Sequence, residues 1–132
     1  MKRKAVFIIN LKSGTSDKAA IPDLIASTLD RDKFDYEIAI TQYAGHASEI
    51  AAKAKDEGVD VVVAVGGDGT VNEVARAIVH SNTALGIIPC GSGNGLARHL
   101  LIPLNARKAI EIINTCEIRD LDYGIINNYP FF

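Results

Sequence analysis

An uninterrupted apolar run, Val61-Val62-Val63-Ala64-Val65, breaks into Gly66-Gly67-Asp68-Gly69-Thr70 and resumes as helical sequence from Val71 to Arg76. The run lacks polar alternation, as expected of a strand buried on both faces of a parallel sheet. Glycine at 66, 67 and 69 removes the Cβ atoms that would keep a ligand off the backbone. The helix that follows is expected to begin at Thr70, with its unpaired N–H groups and positive dipole end directed at an anion over the glycines. Thr70 and Glu73 also fit the capping-box spacing, and that cap is expected to form. A cap accounts for those two residues and leaves the glycines around Asp68 without a structural reason. Asp68 is the only acid inside a glycine loop. It can serve Mg²⁺ directly or through water, accept a proton from an attacking hydroxyl, or simply bond its own turn.

A second loop of similar texture, Gly91-Ser92-Gly93-Asn94-Gly95-Leu96-Ala97-Arg98, again sets N–H groups and small polar side chains at a helix start. Arg98, about one turn in, either leans back to a bound phosphate or stays a solvated helix residue. Together the two loops suit phosphoryl transfer, which asks a protein mainly to position phosphates, a divalent ion and a carboxylate. A dinucleotide fingerprint belongs after the first strand, where this chain has Asn10-Leu11-Lys12-Ser13-Gly14, and no Walker A loop is present. The histidines stand apart, without metal-ligand spacing, so no metal ligand set is assigned. His46, in the loop after the second strand, is the one placed to meet a ligand. Ser13, Thr41 and Thr70 are candidate hydroxyl donors to a nucleotide.

The elements that position these loops follow from periodicity. Ala5 to Ile9 reads as a buried strand, with a helix from about Asp17 or Pro22 to Leu29 after it. Phe34 to Thr41 alternates as a second strand, Gly45 to Glu57 forms a helix closed by Gly58, and the glycine-turn helix runs to about His80. Ala84 to Ile88 makes a fourth strand. A short helix over Gly95 to Leu101 and another over Asn105 to Cys116 follow. Such alternation implies right-handed crossovers and a three-layer α/β domain around a mostly parallel sheet. All four polar loops then fall at the carboxyl ends of the strands, the ligand rim of such sheets.

At 132 residues the chain is one domain by length, and 48% hydrophobic content with 6% aromatics describes an aliphatic core. A net charge of −2 leaves no nucleic-acid footprint, and Lys2-Arg3-Lys4 reads as a solvated strand end. Two cysteines, Cys90 and Cys116, fit a reduced intracellular protein. The N-terminus is neither signal peptide nor membrane span. A cytoplasmic protein is expected, with any membrane contact peripheral.

The Gly66-Gly67-Asp68-Gly69-Thr70-Val71-Asn72-Glu73-Val74 and Gly91 to Arg98 blocks together resemble the diacylglycerol kinase catalytic-domain family, which includes sphingosine kinases and bacterial lipid kinases. Asn10-Leu11-Lys12-Ser13-Gly14 resembles that family's Asn-Pro-x-Ser-Gly loop with Leu11 in place of proline, and Thr41 with Gly45-His46-Ala47 resembles its segment after the second strand. The resemblance implies a Rossmann-like domain of the NAD kinase and diacylglycerol kinase type. It also implies ATP as donor, Mg²⁺, and transfer of the γ-phosphate to the hydroxyl of a lipid such as diacylglycerol. It assigns Asp68 to the reacting end. The nucleotide falls to Asn10, Ser13, Gly14, Thr41, His46, Gly66, Gly67, Gly69, Thr70, Glu73, Gly91, Ser92, Gly93, Asn94 and Arg98. Residues 1–117 are expected to form the nucleotide-binding domain, and 118–132 the first hairpin of a β-rich domain that supplies the lipid pocket and further acids. The chain alone is then expected to bind adenine nucleotide weakly and turn over lipid negligibly. Its half-hairpin, ending in Phe131-Phe132, is expected to self-associate. An NAD kinase-like phosphotransferase uses the same Asp68 loop and is the nearest enzymatic alternative; a noncatalytic nucleotide-binding module is the other.

Overall fold

The computed structural model describes residues 2–10, 20–79, 81–89 and 106–115. In chain order these form β1 (Arg3–Ile9), α1 (Ile21–Thr28), β2 (Phe34–Ile40), α2 (His46–Asp56), β3 (Val61–Gly66), α3 (Asp68–Ile78), β4 (Ala84–Pro89) and α4 (Ala106–Thr115). The strands pair in parallel in the order β2-β1-β3-β4. From β1 the chain moves outward to β2, then returns past β1 to β3.

Successive strand residues point to opposite faces, and the two faces bury different helices. Val6 and Ile8 of β1 with Val62 and Ala64 of β3 pack on α2 and α3. Ala5, Phe7 and Ile9 with Val61, Val63 and Val65 pack on α1 and α4. Every residue of β3 is buried, which explains its unbroken aliphatic run. Burying each such Val or Ile contributes about 1.5–3 kcal/mol over leaving it exposed. Alanines at 47, 51 and 54 give α2 a narrow buried stripe that admits Val71, Val74, Ala75 and Ile78 of α3.

Helix ends agree with the sequence reading at some termini and differ at others. Gly58, at φ +77°, closes α2: its N–H donates to the Lys55 carbonyl at 3.1 Å, and the Val59 N–H donates to the Ala54 carbonyl at 3.0 Å. This is a Schellman arrangement, and Val59 joins Ala54 in the core beneath it. Pro22 sits in the first turn of α1, which begins at Ile21. The largest departure is α3, which starts at Asp68, two residues before Thr70. Gly67 is its N-cap and no side chain caps it.

The amino ends of the strands are tied together. Asp60 Oδ2 accepts from the Lys4 N–H at 2.8 Å, and the Asp60 N–H donates to the Lys4 carbonyl at 3.0 Å. Thr83 Oγ1 donates to the Val59 carbonyl at 2.9 Å. Lys2 and Lys4 pair with Asp35 and Glu37 of the edge strand β2 at 3.7 and 3.2 Å. These exposed pairs add little stability, but charge along β2 discourages edge pairing with another chain. The basic cluster is therefore a solvated strand end, as its sequence suggests.

Candidate functional site

The chain leaves β1 and β3 at the point where the strand order switches, because β1 leads outward to β2 and β3 leads the other way to β4. In open α/β sheets the carboxyl side of such a switch point is where ligands bind. The Asn10 N–H donates to the Val65 carbonyl at 3.3 Å and the Thr41 N–H donates to the Ile9 carbonyl at 2.9 Å. Thr41, Asn10 and Gly66 thus stand in a row across the rim, one at the end of each adjacent strand.

Gly66 and Gly67 turn β3 into α3. A Cβ on Gly66 would lie 2.8 Å from Thr70 Oγ1 and 3.0 Å from Thr70 Cβ, so the first glycine has a packing reason that the sequence did not disclose. Thr70 is 4% exposed and closes on that glycine from the third position of α3. The expected capping box is absent because the helix starts before Thr70, which leaves Thr70 inside the first turn rather than at its mouth. Glu73 consequently lies beyond the first turn, half-buried.

Gly67 differs. Its φ of −89° and ψ of −169° are open to any residue, and nothing lies within 4 Å of where its Cβ would stand. Neither strain nor packing among the described residues requires glycine there. What glycine does provide is bare backbone in front of α3. The first bond of α3 runs from the Val71 N–H to the Gly67 carbonyl at 3.1 Å, and Gly67 as N-cap brings no side-chain cap. The N–H groups of Asp68, Gly69 and Thr70 lie at the positive dipole end of an 11-residue helix, the general kind of terminus at which anions bind.

The loop after β2 completes the described rim. Gly45, at φ +87°, leads into α2, and His46 is the first residue of that helix. His46 Nδ1 accepts from the Gln42 N–H at 2.9 Å, leaving Nε2 as the ring nitrogen the loop does not use. The Tyr43 ring stacks on His46 with centroids 4.3 Å apart, and its hydroxyl donates to the Glu49 carboxylate. That bond first, then slight desolvation and the Glu49 charge, pushes the Tyr43 hydroxyl above its ordinary value of 10.0.

The structure therefore gathers Asn10, Thr41, His46, Gly66, Gly67, Asp68, Gly69 and Thr70 on one rim. Ser13, Gly14, Gly91, Ser92, Gly93, Asn94 and Arg98 lie outside the described residues, as does the expected hairpin over 118–132. Two further residues stand out in the structure. Tyr43 shares the loop of Thr41 and His46, and an aromatic in a polar loop is the sequence signal for it. Asn72 has a buried side-chain oxygen with no hydrogen-bond partner among the described residues, and helical periodicity alone does not mark it.

No group of three or more His, Cys, Asp or Glu able to hold a metal comes together among the described residues. No helix among them is long and apolar enough to cross a membrane.

Known proteins share both sequence and fold with this chain. Diacylglycerol kinase of Staphylococcus saprophyticus is 34% identical over 99% of the chain, which spans 44% of that protein. Diacylglycerol kinase of Staphylococcus aureus (strain MRSA252) is also 34% identical over 99% of the chain and 42% of its own length. A crystal structure of a diacylglycerol kinase from Bacillus anthracis str. Sterne matches with a TM-score of 0.73 at 28% identity, over 86% of this chain and 39% of that one. The chain spans less than half the length of each. The sequence profile of the diacylglycerol kinase catalytic domain matches residues 4–126, and the chain belongs to that family of kinases.

Proposed function

We propose that this chain is the nucleotide-binding part of an ATP-dependent lipid kinase, holding ATP with Mg²⁺ for γ-phosphate transfer to the hydroxyl of a lipid such as diacylglycerol. The observation that carries the reading is the bare backbone at Gly67 in front of an uncapped α3, in a chain of the diacylglycerol kinase catalytic-domain family. On this reading the N–H groups of Asp68, Gly69 and Thr70 hold phosphate oxygens and offset their charge, which is most of what phosphoryl transfer asks of a protein. Asn10 and Thr41 flank the nucleotide on the same rim. Asp68 is the acid at the reacting end: it accepts the lipid hydroxyl proton as the new P–O bond forms and ADP departs, or holds the ion through water. Magnesium of this kind is bound chiefly by the nucleotide's phosphates with one or two carboxylates, so a lone acid is compatible with it.

The lipid pocket is assigned to residues beyond this chain, which by itself binds ATP and phosphorylates lipid negligibly. Calorimetric titration of the 132-residue chain with MgATP, paired with a labelled-phosphate transfer assay on diacylglycerol vesicles, tests both parts. Saturable ATP binding without transfer is the expected result. Absence of ATP binding overturns the nucleotide site, and transfer at ordinary kinase rates overturns the assignment of the lipid machinery elsewhere.

A further inference from the structure

The rim carries one exposed aromatic surface among the described residues. Tyr43 is 55% exposed and lies nearly parallel to His46, at 12° between ring planes. Three hydrogen bonds hold this pair upright: Tyr43 hydroxyl to Glu49, the Gln42 N–H to His46 Nδ1 at 2.9 Å, and the His46 N–H to the Tyr43 carbonyl at 3.1 Å. Neither ring belongs to either core cluster, so the fold gains little buried area from this ordering. Its inner face is covered by His46. Its outer face is offered to solvent.

The position of the stack suits a ligand that begins at the glycine turn. β2 and β3 flank β1, and strands lie about 4.8 Å apart, so the ends of β2 and β3 stand about 10 Å from each other across Asn10. α2 and α3 pack side by side on the same face of the sheet. The start of α3 carries the phosphate cradle and the start of α2 carries Tyr43 and His46. A nucleotide extended along the rim, with phosphates over Gly67 to Thr70, reaches the α2 start with its base.

We propose that the exposed face of Tyr43, backed by His46, is the stacking platform for the purine base of the donor nucleotide. The inference rests on the kinase reading above and adds to it a residue that sets how the base is held. Stacking on a π-face tolerates any base, so this platform favours purine nucleotides over baseless polyphosphates and discriminates weakly between adenine and guanine.

The test compares the parent chain with Tyr43→Ala and Tyr43→Trp, titrating each with ATP and with inorganic tripolyphosphate, which lacks the base. Folding of each variant is checked by circular dichroism. The parent is expected to prefer ATP. Tyr43→Ala is expected to lose about tenfold in ATP affinity with tripolyphosphate affinity unchanged, and Tyr43→Trp to keep the parent preference. Unchanged ATP affinity in Tyr43→Ala overturns the platform while sparing the phosphate site. Equal loss for both probes also overturns it, because the loop then acts on phosphate alone. A parent chain that binds neither probe overturns the kinase reading and this inference with it.

Discussion

A methyl group on Gly66 would meet Thr70 Oγ1 at 2.8 Å, whereas one on Gly67 would meet no atom within 4 Å. Substitution at the two neighbours is therefore expected to separate folding from binding. Gly66→Ala is expected to cost about 1–3 kcal/mol, because Thr70 is buried and cannot swing clear without disturbing the first turn of α3. Gly67→Ala is expected to leave stability within about 0.5 kcal/mol of the parent. It should nonetheless weaken ATP binding about tenfold or more, as the new methyl stands between phosphate and backbone N–H. Chemical denaturation and calorimetry on the two variants check both statements. Tyr43 yields a pH prediction. Its hydroxyl bond to Glu49 favours the protonated ring in the folded chain, so this contribution is fully present below pH 10 and fades as pH rises through the raised folded value. Glu49→Gln removes the charge and weakens the bond, and Tyr43 should then ionise at lower pH, nearer 10.0, in an NMR titration of its ring. The glycine turn between β3 and α3 was legible from residue types alone. The packing difference inside it was not, since that depends on Thr70 lying against one glycine and no atom lying within 4 Å of a Cβ on the other.

Among the helices, α1 and α4 have 77 residues (29–105) between them in the chain, yet one side chain joins them. Asn114 Oδ1 accepts from the Asp30 N–H at 2.6 Å, and its Nδ2 donates to the Thr28 carbonyl at 2.7 Å, so a single amide serves both polarities at the end of α1. Lys33 Nζ adds a bond to the Asn114 carbonyl at 3.0 Å. Asn114→Ala leaves part-buried backbone groups without these partners. It is expected to destabilise the chain by about 1–3 kcal/mol, while Asn114→Asp, which keeps only the acceptor, falls between. Thermal unfolding of the two variants measures this. The helix itself was expected from the sequence, and Ala109, Ile110 and Ile113 lie on its buried face. The role of Asn114 on that helix was invisible, because capping across such a separation has no local signature. The expected Thr70 cap shows the converse: the local pattern was present, but the helix began earlier, where the bare turn of Gly66 and Gly67 ends.

At the scale of the molecule, β1 and β3 are each paired on both sides, whereas β2 and β4 are sheet edges among the described strands. Amide exchange is expected to be slowest at Phe7 to Ile9 and Val62 to Val65 and faster along β2, whose outer groups face water. Native-state exchange by NMR or mass spectrometry reads this directly. Uniform protection across all four strands would mean that the sheet opens only as one unit. The same strand order sets the carboxyl ends of β1 and β3 side by side at the switch point, the place where open α/β sheets bind ligands. Firm ties at the amino ends, through Asp60 and Thr83, hold the sheet from the other side.

Sequence alone determined the α/β alternation, the buried central strands, the aliphatic helix faces and the glycine turn from Gly66 to Thr70 that joins strand to helix. Each depends on local spacing and on residue types whose conformational or apolar preferences act over a few positions. Only the tertiary structure decided the β2-β1-β3-β4 order, the row formed by Thr41, Asn10 and Gly66, the contact that makes Gly66 structural, and the placement of Tyr43 on the rim. These depend on which strands become neighbours and which side chains meet across turns, and packing between distant segments settles both.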